Sequence, residues 1–514
     1  MRKYILIILI AVSVGLSSCG EDFLTAMPTE RQQAGGPATE GAILSNLASA
    51  YQILLLDSYA NSNYNSILLM SDLRSDDIYK GGGDAGDQHQ LYLLSMFAST
   101  PQENISGLWS IYFSGLTRCN NVLIACENAV DVDEDKLNQY KAEAYFLRAY
   151  YVHWLWKFWG NIPYFEAPLS DPPYMTRQFT ADEIYAEIIK NIELAATPGH
   201  LPMRLPKDNS NNYITANIAR VNRAAVLMLK ARVVLYQKDT QRYAEVTRDM
   251  AEIINSGEFT LFPDFADIWI DENEFCNESI FEANHIPEGK DWDNAWGGYG
   301  TNLPEFISPS GLSAGNNPGD FKDGWGFGPV RAAAWDMYEE GDTRREGSIN
   351  NWQPDQYTPR FQDTGYFMAK YSSRRGYNPQ GTTALNYANN VRIFRYAETL
   401  LNYAELLTIH GQSPVGGVTA QAALDQIRGR AFGAANSIPA TADNIKAERR
   451  KEFVGEGMRF WDIVRWGDTH LLTENTPLST RTWQDYCKLL PIPQSEIERT
   501  TGTEFALQQN PGYN

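Results

Sequence analysis

Residues Leu137 to Pro163 read LNQYKAEAYFLRAYYVHWLWKFWGNIP. Within this stretch Leu137, Tyr140, Ala144, Leu147, Tyr151, Trp154 and Phe158 recur at alternating intervals of three and four. That spacing places seven apolar side chains on one stripe of an α-helix, and Gly160 and Pro163 mark its end. Working outward, the same periodicity predicts a second strong helix over roughly 216–237 and a third over roughly 395–410. The strand signal, strict alternation of apolar and polar residues, is not sustained over any length, so the chain reads as mostly α.

The three helices share a finer pattern. Ala142, Tyr145 and Ala149 match Ala224, Leu227 and Ala231, and again Ala397, Leu400 and Ala404. Small residues flanking a large one at these offsets let a neighbouring helix approach closely. Each helix is followed by another helical pattern, over 181–195, 242–255 and 420–430. Helix pairs of this kind resemble tetratricopeptide units, which stack because none buries its apolar face alone.

The chain has 514 residues, 43% hydrophobic and 21% charged, enough to build a full core and too ordered in composition for global disorder. Lys and Arg number 43 against 63 Asp and Glu, a formal charge of −20. Such a chain repels phosphate backbones, which argues against a nucleic-acid partner. The 13 Trp and 28 Tyr exceed what a core needs and point to flat apolar surfaces offered to a ligand.

At the N-terminus, Arg2 and Lys3 precede an apolar run from Ile5 to Leu16, too short for the ~20 residues of a spanning helix. The run ends at Leu16-Ser17-Ser18-Cys19, which looks like a lipobox. Residues 1–18 are therefore expected to be a lipoprotein signal peptide, with Cys19 lipidated as the first mature residue. The other four Cys read as structural: Cys119 and Cys126 lie seven apart in a helical pattern, ~10 Å of rise, too far to bridge. No CxxC, HExxH or Cys/His cluster occurs, so neither a metal nor a cofactor is called for.

Between roughly Phe259 and Gln380 the helical periodicity breaks and Gly, Asn, Asp and Trp accumulate, as in Asp291-Trp292-Asp293-Asn294-Ala295-Trp296-Gly297-Gly298-Tyr299 and Asp323-Gly324-Trp325-Gly326-Phe327-Gly328-Pro329. A structureless loop of that length is improbable in a compact domain, so a packed, irregular subdomain is expected. A shorter segment of similar flavour, Tyr59 to Gln90, carries Asn63, Tyr64, Asn65 and a Gly81-Gly82-Gly83 run that reads as flexible.

Several strings, in order, resemble the SusD/RagB family of Bacteroidota surface lipoproteins. They are Arg148-Ala149-Tyr150-Tyr151 through Trp154 to Gly160-Asn161-Ile162-Pro163; Ala224 through Tyr236 with Tyr243-Ala244; and Arg395-Tyr396-Ala397-Glu398-Thr399-Leu400-Leu401. Ile427-Arg428-Gly429-Arg430-Ala431 follows, then Glu448-Arg449-Arg450-Lys451-Glu452-Phe453 through Glu456, Arg459, Phe460 and Trp461-Asp462 to Arg465-Trp466-Gly467. Leu490-Pro491-Ile492-Pro493 and Gln509-Asn510-Pro511-Gly512-Tyr513 close the chain. The resemblance implies four tetratricopeptide-like helix pairs (about 39–258 and 393–470) with an irregular, loop-rich ligand-binding subdomain (about 259–392) and a C-terminal segment, 471–514. It also implies an outer-membrane, outward-facing protein that serves as a lid on a SusC-type TonB-dependent barrel. Gly20-Glu21-Asp22 is similar to the surface-export signal of such lipoproteins.

Glu452, Glu456, Arg459, Asp462 and Arg465 are spaced by three and four and read as scaffold ion pairs along one helix. Trp154, Trp156, Phe158 and Trp159 read as core. Sugars require exposed aromatic planes beside hydrogen-bonding side chains and no acid/base chemistry. The irregular block offers Trp292, Asp293, Asn294, Trp296, Tyr299, Asn302, Trp325 and Phe327; the early segment offers Asn63, Tyr64, Asn65, Asp76 and Asp77. Arg374-Arg375, between Tyr371 and Tyr377, is a weaker candidate. The expected function is non-catalytic capture of an oligo- or polysaccharide for delivery to the barrel. Two alternatives are RagB-like oligopeptide capture and a helical glycoside hydrolase. The hydrolase would need two carboxylates ~5–10 Å apart, and Asp76/Asp77, Asp291/Asp293 and Glu339/Glu340 carry no mark beyond surface charge.

Overall fold

The computed structural model describes residues 36–513, except 57–58, 61–62, 65, 168, 170–171, 173, 206–218, 294–296, 314–319 and 379–383. Numbering only the scaffold helices, α1 is Glu40–Gln52, α2 Ser106–Glu127, α3 Glu134–Trp159, α4 Ala181–Ala195, α5 Arg223–Gln237, α6 Tyr243–Ser256, α7 Tyr396–Thr408, α8 Ala420–Phe432, α9 Ala442–Phe453 and α10 Arg459–Trp466.

Local chemistry sets these boundaries. Asp133 caps α3 through the Lys136 N–H, and Gly160, at φ 69°, ends it where the sequence expected a stop. Thr180 and Glu183 form a reciprocal capping box on α4. The second helix starts later than the periodicity suggested, at Arg223, because Asn222 Oδ1 accepts the Ala225 N–H at 2.8 Å and fixes the first turn.

Each of α1 to α7 packs against the next, which makes four helix pairs, α1/α2, α3/α4, α5/α6 and α7/α8, in one solenoid. The small residues of the repeat, Ala142, Ala149, Ala224, Ala231, Ala397 and Ala404, are all buried, as close helix approach requires. From Ala142 to Trp159, α3 is buried almost all round rather than along one stripe, because α1, α2, α4 and α5 all contact it. Trp154, Trp156, Phe158 and Trp159 are core, and Trp154 and Phe158 pack on Trp461.

Two long insertions interrupt the solenoid. One lies between α1 and α2; the other, between α6 and α7, is the irregular block. The block is built from turns, five-residue helices and short strands. Strand Ser279–Ala283 pairs antiparallel with Val391–Arg395, tying its two ends to the scaffold. Both strands are buried at every position, so they carry no alternation for a sequence reading to find.

The charged string 452–465 corrects the expectation of one helix. α9 ends at Phe453, and Gly455 and Gly457, at φ 78° and 70°, turn the chain before α10. The ion pairs are scaffold pairs, but largely tertiary and buried. Glu452 meets Arg344, Arg395 and Arg430; Glu456 meets Lys370 and Arg395; Arg465 meets Glu405. Cys119, Cys126 and Cys487 are buried free thiols, and Cys276 is a half-buried one. No described helix is long and apolar enough to cross a membrane.

Candidate functional site

The two insertions meet. Residues 77–82 and 326–331 run antiparallel: Tyr79 N donates to Pro329 O at 2.9 Å, Gly328 N to Lys80 O at 3.0 Å, Gly82 N to Gly326 O at 2.8 Å and Arg331 N to Asp77 O at 2.8 Å. Gly81 sits at φ 69°, and a Cβ there would collide with Gly326 O and Pro329 Cδ. The Gly81-Gly82 run is therefore a close-packing device rather than the flexible stretch the sequence suggested.

This seam carries an aromatic cluster. The turn through Trp325 is held by main-chain bonds from Trp325 N to Glu305 O at 2.8 Å and from Gly326 N to Ser308 O at 2.7 Å. Glu305 is itself fixed by the Tyr387 hydroxyl at 2.5 Å. Burial raises the Glu305 carboxyl above its ordinary value, against the hydrogen bond from Tyr387 and the charge of Lys322. The Trp325 ring stands edge-on to Phe306 at 5.8 Å, and Trp292 stacks on it with centroids 6.1 Å apart and planes 22° from parallel. Trp292 remains 42% exposed, so this pair offers solvent a flat indole surface.

Polar groups border it. Arg360, exposed, donates through Nη1 to Trp325 O at 2.8 Å. In the neighbouring loop Gly83 N donates to Asp87 Oδ2 at 2.8 Å, Gly86 N to Asp84 Oδ1 at 2.7 Å, and the Lys80 ammonium to Asp84 O at 2.7 Å. Burial pulls the Lys80 ammonium down to about 8. Asp84, Asp291, Asp293 and Asp323 are exposed around the same seam. Sequence reasoning missed Asp84, Asp87 and Arg360. The Gly81–Gly83 run was the available signal, since glycines forced by close approach mark where two loops meet.

Of the expected site residues, Trp292 and Trp325 come together and Asp293 is exposed beside Trp292. Asp77 and Phe327 correct the expectation. Asp77 is 1% exposed, its Oδ1 held by Arg450 Nε at 2.8 Å and Nη2 at 2.6 Å. Phe327 is 2% exposed, stacked on Phe306 at 4.0 Å beneath the Lys80 ammonium. Asn302 is also buried, bonded to Ala384 O at 3.1 Å, and Asp76 is clamped by Arg459 at 2.7 and 2.9 Å. Tyr299 is 45% exposed but faces elsewhere, lining a cleft of about 420 Å³ with Leu44, Leu55 and Ile286. Arg374 lies over the Phe321 ring at 4.4 Å. Asn63 and Tyr64 form the second strand of a two-residue hairpin with Tyr59–Ala60. Asn65, Asn294, Trp296 and Cys19 lie outside the described residues.

Fold and seam together define a class of protein: a tetratricopeptide-like solenoid whose two insertions meet in one seam. The chain belongs to the SusD family, whose model matches residues 236–513, while a related family model, described as starch-binding associating with outer membrane, matches residues 46–235. It is similar to the solved surface glycan-binding protein A from Bacteroides fluxus, at 62% identity and a TM-score of 0.88, over 93% of this chain and 100% of that one. The surface glycan-binding protein A from Bacteroides thetaiotaomicron, solved in complex with laminarihexaose, is 37% identical with a TM-score of 0.83, over 92% and 100%. A laminarin-binding SusD-like protein is 28% identical with a TM-score of 0.77, over 93% and 100%.

Proposed function

We propose that this chain is a non-catalytic surface lipoprotein that captures a glucan of the laminarin type and passes it to a SusC-type TonB-dependent barrel. The observation that carries the reading is the stacked, solvent-facing Trp292–Trp325 pair, bordered by Arg360, Asp84 and Asp293. Glucose rings present apolar C–H faces to indole planes, and carboxylates and a guanidinium bond the ring hydroxyls. Two relatives, one solved in complex with laminarihexaose and the other a laminarin-binding SusD-like protein, support the choice of glucan. Trp296, Asn294, Asn63, Tyr64 and Asn65 complete the proposed contact set. Anchoring through lipidated Cys19 would hold the protein at the outer membrane, facing outward, above its partner.

The direct test is calorimetry on residues 20–514 with laminarin, laminarihexaose, starch, cellohexaose and mixed oligopeptides, with released reducing ends assayed in parallel. Laminarihexaose binding without cleavage is the expected result. Binding of peptides alone would move the chain to RagB-like capture, and product release would overturn the non-catalytic reading.

A further inference from the structure

A second cleft, of about 490 Å³, shares no lining residue with the indole pair. It lies between α2, the segment after Gly160, and the C-terminal helix Gln494–Thr500, within the ~300–1,000 Å³ range of ligand clefts. Trp109 forms its floor, held edge-on to Trp159 at 5.2 Å and tilted against Phe113 at 4.7 Å. Phe113 and Phe165 add half-buried aromatic surface. Tyr174 stands on the rim at φ 58° and is 60% exposed. A bulky residue held in the left-handed region, with its ring turned to water, is a strained placement that invites a functional explanation.

The polar lining narrows the ligand class. Ser110, Ser114 and Thr117 fall four and three apart, one strip of α2 beside Phe113. Thr117 donates its hydroxyl proton to Phe113 O at 3.1 Å, which leaves its oxygen lone pairs as acceptors. The charged lining residues are Glu496 and Arg499, and they pair with each other. In a chain of net charge −20 this cleft is therefore locally balanced and suits an uncharged ligand. Ser110 Oγ likewise lies 3.5 Å from Ser106 O, so the strip presents hydroxyl oxygens as acceptors to a ligand that carries its own hydroxyl donors.

We propose that this cleft is a second carbohydrate subsite, in which an uncharged sugar stretch packs on Tyr174 and Phe113 and bonds the α2 hydroxyls. The proposal rests on the glycan-capture reading. A polysaccharide long enough to reach both faces would be held by two contacts, and the second event would be intramolecular.

The test uses residues 20–514 and laminarin, in native and Trp292→Ala/Trp325→Ala backgrounds, each with Tyr174→Ala or Ser114→Arg. In the native background either cleft variant should weaken laminarin binding about tenfold, with an unchanged melting temperature. In the double-Trp background residual binding should remain and should disappear with either cleft variant. Unchanged laminarin affinity in both cleft variants overturns the subsite alone. Unchanged affinity combined with lost co-purification of the barrel would overturn it too, and would assign the cleft to protein docking. Failure of the native chain to bind any glycan overturns the capture reading and the subsite with it.

Discussion

Trp292 and Trp325 share a stack but not a structural burden. Trp292 is exposed, whereas Trp325 also packs on Phe306 and holds the turn that Arg360 braces. Replacing Trp292 by Ala should therefore cost laminarihexaose binding at least about 2 kcal/mol, near 30-fold, with the melting temperature unmoved. Trp325→Ala should lose as much affinity and also lower the melting temperature, and Trp292→Phe should recover most of the binding. Calorimetry and thermal melts on the three variants check this; undiminished binding by Trp292→Ala would remove the indole pair from the site. Gly81→Ala should destabilise the seam and weaken binding together, since its Cβ and its φ are both disallowed there. At this scale the sequence was half legible. It names the aromatic residues, but burial depends on partners far away in the chain: Asp77 reads as an exposed hydrogen bonder until Arg450, 373 residues on, takes its carboxylate. Phe327 and Trp325 both meet Phe306, but Phe327 stacks flat on it beneath Lys80 and is buried, whereas Trp325 meets it edge-on and stays half-buried.

Elements were the most legible level, because helix periodicity is written locally. α3, α7 and the partners α4, α6 and α8 fall where spacing and stop signals put them. The break between α9 and α10 was not legible, since Glu452 to Arg465 keeps helical spacing through two glycines whose positive φ is set by tertiary contact; Gly457 N donates to Asp72 Oδ2 at 2.9 Å. That break aims the acidic side chains at Arg395, which is buried against Glu278, Glu452 and Glu456, with Glu456 at 2.7 and 2.9 Å. Removing the cation leaves carboxylates buried and under-compensated. Arg395→Met should thus cost about 3–5 kcal/mol, read as a lower denaturation midpoint. A variant as stable as the native chain would show that Lys370, Arg344 and Arg430 suffice to neutralise the cluster.

Across the whole molecule, the irregular block and the scaffold share one hydrophobic core and many buried ion pairs, and one of the joints between them titrates. Asp271 and Glu274 near the start of the irregular block, Asn389 and Asn390 near its end, and Glu282 on the strand between them surround Arg392. That guanidinium spends its donors on carbonyls, at 2.6 Å to Asn390 O, 2.9 Å to Ile268 O and 3.1 Å to Ile270 O. It stays 3.9 Å from Glu274 and 3.8 Å from Glu282. Burial, with Glu282 nearby and only partly offset by Arg392, pushes the Glu274 carboxyl up to about 8; burial likewise pushes Asp271 up to about 6. A carboxyl whose folded value lies above its unfolded one favours the fold when protonated. Its contribution is complete below about 4.5 and is lost as pH rises through about 8. At the acid end the reverse holds for Glu339, held down to about 2 by hydrogen bonds from Arg428 and Lys451, so that contribution is lost as pH falls below about 4.5. The melting temperature should therefore peak near pH 5 and decline towards pH 9. Glu274→Gln should flatten the alkaline limb while leaving the acid limb in place. Thermal melts from pH 3 to pH 9 on both proteins decide the matter: an alkaline limb equally steep in the variant would place the titrating joint elsewhere than around Arg392.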